Sequence, residues 1–61
     1  MSSDLKDARW QLGFSMAEED GVDWFEAGFH VRAGYLSAAQ TRLDANPERI
    51  PALAEKWREH P

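Results

Sequence analysis

EEDGVDWFEAGFHVRAGY, residues 18–35, carries five acids, three glycines and four aromatic residues in one stretch. It is either the turn of a β-hairpin or the corner between two helices. From Trp10 to Met16 apolar and polar residues alternate, and Phe25, Ala27, Phe29, Val31 and Ala33 alternate again. With Asp20-Gly21 between the two runs, that pattern permits a hairpin. Composition opposes it. The only β-branched residues are Val22, Val31, Thr41 and Ile50, whereas alanine, favoured in helices and depleted in strands, is abundant. The expected fold is therefore a small all-α domain spanning residues 1–61.

Working outward from the corner, the first helix is expected at about 4–19, capped by Ser3, with Asp4 and Asp7 favouring the positive end of its dipole. Leu5, Ala8, Leu12 and Met16 recur at helical spacing and form one stripe. Trp10, Phe14 and Ala17 form a second stripe on another side. Gly13 weakens the middle of this helix by about 1 kcal/mol relative to alanine. Gly21 suits the residue just past a helix end. Asp23 and Glu26 have the spacing of a capping box, which predicts a second, antiparallel helix at about 23–45. Asn46-Pro47 ends it. Pro51 suits the start of a short third helix at about 51–60 bearing Leu53, Ala54 and Trp57 on one side, and His60-Pro61 closes the chain.

On the second helix, Glu26, His30, Ser37, Gln40, Thr41 and Asp44 form a polar stripe, and most of the remaining surface is apolar. Phe25, Phe29, Leu36 and Leu43 make a bulky seam. Trp24, Val31 and Tyr35 make another. Ala27, Gly34, Ala38 and Ala45 make a narrow small-residue groove. A helix apolar on so much of its circumference needs cover on several sides.

A chain of 61 residues buries only about 60% of its unfolded surface, and small domains of this kind usually gain a staple. Cysteine is absent, which removes disulfides and thiolate metal sites. Oligomerisation or a partner is the remaining supplement. Trp10, Phe14, Trp24 and Tyr35 are the expected anchors, because aromatic residues dominate interface energetics. The competing expectation is that the same aromatics close one three-helix core.

Chemistry finds little to work with. Aligning Gly21 with the invariant glycine of a calcium loop puts Met16 and Ala27 at the first and twelfth ligand positions, where neither can bind. Glu26 and His30 are a fragment of a metal site, but spacing of four more often marks a surface ion pair. No nucleophilic triad pattern and no phosphate loop is present. No metal, cofactor or catalytic residue is expected.

The net charge of −4 opposes a phosphate-binding footprint, so direct nucleic-acid binding is not expected. No apolar run reaches the roughly 20 residues of a membrane span. Met1-Ser2-Ser3-Asp4 lacks signal-peptide character, and a cytoplasmic location is expected.

The expected function is a non-catalytic protein-protein interaction module, self-associating as a homodimer or small homo-oligomer, that regulates, inhibits or assembles another protein. One alternative is an acidic decoy, in which Glu18, Glu19 and Asp20, with Asp23 and Glu26, occupy a basic, nucleic-acid-binding groove of a target. Another is an accessory subunit of a larger complex.

Overall fold

A computed structural model describes residues 3–59. Helix α1 spans Ser3–Glu19, α2 spans Phe29–Ala45, a 3₁₀ turn covers Pro47–Arg49, and α3 spans Ile50–Arg58. No strand occurs among the described residues, so the all-α expectation holds.

α1 ends as its sequence dictates. Gly21 adopts φ +77°, in the left-handed region that glycine enters without steric cost. Its N–H donates to the Glu18 carbonyl at 3.0 Å, and the Val22 N–H donates to the Ala17 carbonyl at 2.9 Å. This pair of bonds is a Schellman motif, and it satisfies carbonyls that the helix end would leave open.

The expectation of a second helix starting at residue 23 is corrected. The Asp23 carboxylate accepts from the N–H of Phe25, not of Glu26, at 3.0 Å. That is an Asx-turn, and it does not form the capping box. One turn follows, closed by the Ala27 N–H donating to the Asp23 carbonyl at 3.0 Å. Extended Gly28 (φ −73°, ψ 168°) then separates this turn from α2. The physical reason is Trp24. In an unbroken helix it would lie two turns before Val31 and share its side, and Val31 is 44% exposed. The break lets Trp24 swing onto α1, where it is only 2% exposed.

α1 and α2 run antiparallel. From Arg9 through Gly13 on α1 to Asp20 just past its end, the neighbour on α2 falls from Gln40 through Leu36 to Tyr35. α3 packs along α1 even more extensively than α2 does. Asn46 closes α2, its N–H donating to the Arg42 carbonyl at 3.0 Å, and the chain turns at Pro47.

One core cluster joins Ala8, Ala39 and Ala54 to Leu12 and Leu43, with Met16, Ile50 and Leu53 packed against it. Three alanines let the helix backbones approach closely. Ser3 is the first helical residue, and its hydroxyl lies 3.5 Å from Arg58 Nη2. Arg58 also pairs with Asp4 and, at 2.9 Å, with Asp7, which ties the end of α3 to the start of α1. The expected end of the third helix at His60 lies outside the described residues.

Candidate protein-binding edge

The structure gathers the second stripe of α1 into an aromatic cluster. Trp10 meets Trp24 edge-on at 5.5 Å between ring centroids and lies tilted on Trp57 at 6.3 Å. Phe14 contacts Trp24, Phe25 and Trp57 at 6.5, 5.8 and 6.1 Å. Trp10 and Phe14 are thus half-buried by their own chain. Trp24, expected as a surface anchor, is a core residue instead. A Cβ placed on Gly13 would lie 3.4 Å from the Trp24 ring and 3.3 Å from Leu36. Gly13 therefore gives Trp24 and α2 room to approach α1.

Arg32 holds this arrangement. Breaking the helix at Gly28 leaves the Trp24 and Phe25 carbonyls without helical partners. Arg32 Nε donates to the Trp24 carbonyl at 2.8 Å, and Nη2 donates to the Phe25 carbonyl at 3.1 Å. Its guanidinium also lies 5.7 Å from the centroid of the Trp24 ring, within cation–π range.

Turning Trp24 inward turns Phe25 and Phe29 outward. They are 70% and 80% exposed. The bulky seam expected on the second helix is therefore split, with Leu43 in the core and both phenylalanines at the surface. Beside Phe29 lies a groove of about 360 Å³ lined by Trp10, Phe29, Arg32, Ala33 and Leu36. On the opposite flank of α2 a shallower depression borders Met16, Val31, Gly34, Tyr35 and Ala38. No atom approaches within 4 Å of a Cβ position at Gly34, so the small-residue side of α2 stays open there.

All five acids of the corner, Glu18, Glu19, Asp20, Asp23 and Glu26, are exposed. Two have defined roles: Asp23 holds the turn, and Asp20 accepts from the Tyr35 hydroxyl at 2.8 Å in an exposed hydrogen bond. That hydrogen bond, with lesser contributions from desolvation and the carboxylate charge, raises the Tyr35 pKa above its ordinary value of about 10. Glu26 and His30 fall on opposite sides of the Gly28 break and do not share a helix face. Among the described residues no three His, Asp or Glu side chains converge on a metal position, and no helix is long and apolar enough to cross a membrane.

Of the expected anchors, the structure brings together Trp10, Phe14 and Trp24, and separately joins Tyr35 to Asp20. It adds Phe25, Phe29 and Arg32. Gly28, placed before Phe29, was the local signal that could have separated them from the core. Comparisons with protein families, with curated proteins and with solved structures find no match to this chain, so the edge is interpreted from its own geometry.

Proposed function

We propose that the chain is a non-catalytic protein-protein interaction module that regulates or inhibits another protein through the edge formed by Phe25 and Phe29. One observation carries it: Phe25 and Phe29 stand 70% and 80% exposed, and Phe29 lines an open apolar groove. Aromatic residues in such a position are typical interface anchors, and a folded chain gains little by leaving them in water.

Self-association is the second form of this role. It is favoured by the open flank of α2 at Val31, Gly34 and Ala38, where a second helix has room to approach. The exposed acids suit the decoy alternative.

The test replaces both phenylalanines by serine. Their buried fractions correspond to about 1 kcal/mol together at full-burial values of about 1.5–3 kcal/mol each. The double variant should keep its helix content and most of its stability, while losing whatever association the native chain shows in sedimentation equilibrium or binding assays. A loss of more than about 3 kcal/mol in urea denaturation would assign both rings to the core and refute the proposal.

A further inference from the structure

The groove beside Phe29 is apolar except for one cation, and that cation has no counter-ion. We propose that the groove binds a small free carboxylic acid with one apolar ring system, its carboxylate paired with Arg32. This goes beyond the protein-binding role and does not depend on it.

Helical spacing builds the apolar part. Phe29, Ala33 and Leu36 lie at i, i+4 and i+7 of α2 and so share one side, with Arg32 beside them. Trp10 of α1 completes the lining. The volume of about 360 Å³ is at the small end of ligand-sized sites, which suits one ring system and a short polar tail. Indole and phenyl walls favour an aromatic guest, since offset and edge-on ring contacts add to the burial of area.

Arg32 supplies the polar end. It is half-buried and lines the groove. Its Nε and Nη2 donate to the Trp24 and Phe25 carbonyls, which are neutral groups. Among the described residues the ion pairs are those of Arg58 with Asp4 and Asp7, and no carboxylate neutralises Arg32. The two carbonyls take two of the five N–H donors of the guanidinium and leave its Nη1 end open. That fork matches the oxygens of a carboxylate, and the bonds to the carbonyls fix it before a ligand arrives, so less freedom is lost on binding. An ammonium in the same groove meets a like charge. Asp20, the acid whose position is fixed by a hydrogen bond to Tyr35, sits on the other flank of α2. At physiological salt, exposed charges more than about 8 Å apart are largely screened, which leaves Arg32 as the charge met inside the groove.

The experiment titrates the isotope-labelled full chain with naphthylacetate, naphthylacetamide and naphthylethylamine at neutral pH, read by NMR. The three share a ring and differ in charge. Naphthylacetate should saturate with a Kd of about 1 mM or tighter and shift the Trp10 indole N–H and Arg32 Nε–H resonances. The amide should bind about tenfold more weakly, because it forfeits the charge-assisted bond, and the amine should not bind. Ala33→Leu, at an exposed helical position, fills the groove and should weaken naphthylacetate about tenfold or more while the circular dichroism spectrum is unchanged.

Failure of naphthylacetate to saturate overturns the proposal. Equal binding of the amide or the amine does so too, because Arg32 would then play no part. Binding that ignores Ala33→Leu would place the ring elsewhere on the chain, with the same consequence. The association lost in the double-serine variant is read without any ligand, so either role can fail while the other stands.

Discussion

Replacing Trp24 by alanine tests the rearrangement on which the exposed Phe25 and Phe29 edge depends. Trp24 is 2% exposed and packs against Trp10, Phe14 and Gly13, so truncation removes a large buried side chain and leaves a cavity. Such changes cost about 3–5 kcal/mol. A chain of 61 residues has about 3–9 kcal/mol to lose at typical values per residue. The variant should therefore be close to unfolded at room temperature. Phe29→Ala is the internal control. With 80% of its surface already in water, only about 0.3–0.6 kcal/mol is at stake. In a domain of this size, 1 kcal/mol moves Tm by about 4–8 °C, so the control should shift by only a few degrees. Urea and thermal denaturation followed by far-UV circular dichroism read both. Trp24→Phe keeps a ring in the site and should retain a cooperative transition if the alanine variant has none. If Trp24→Ala costs no more than Phe29→Ala, Trp24 is a surface residue, the second helix runs unbroken from residue 23, and the exposed edge does not exist as described.

Three further outcomes are expected. Gly21→Ala forces a Cβ into φ +77° and should destabilise the chain by about 1–2 kcal/mol in urea, although no atom lies near enough to clash. Gln11 is 1% exposed; its amide N–H donates to Ser15 at 3.0 Å, but its carbonyl oxygen has no protein partner. Gln11→Met should stabilise the chain by about 1 kcal/mol, since an unsatisfied buried polar atom costs about 1–3 kcal/mol; destabilisation would reveal a bound water or other partner for that oxygen. The Tyr35 phenol, which donates to Asp20, should ionise above a free tyrosine in an ultraviolet titration, and Asp20→Asn should lower its midpoint. Because the folded-state pKa is raised, this contact contributes fully below about pH 10 and is lost as pH rises through the folded value. An unshifted Tyr35 would mean that the hydrogen bond does not persist in solution.

The helical class was legible from composition, and the ends of the elements from punctuation. Gly21, Asn46-Pro47 and Pro51 all act where chain stereochemistry demands. Of the stripe Leu5, Ala8, Leu12 and Met16, legible from periodicity, the last three face the core or pack on it, whereas Leu5 is exposed near the start of α1. These features depend on neighbours in sequence, so they can be read without the fold. The start of α2 could not. Asp23 and Glu26 have the spacing of a cap, but the local preference lost to the burial of Trp24, which needs α1 and the open backbone at Gly13 before it has any value. Once Trp24 turns inward, Phe25 and Phe29 must turn outward, and Arg32 finds the carbonyls that the break exposes. Which aromatic residues are core and which are surface is thus a property of helices meeting in space. Tertiary packing alone decided that Trp24 is buried and that two phenylalanines are left at the surface.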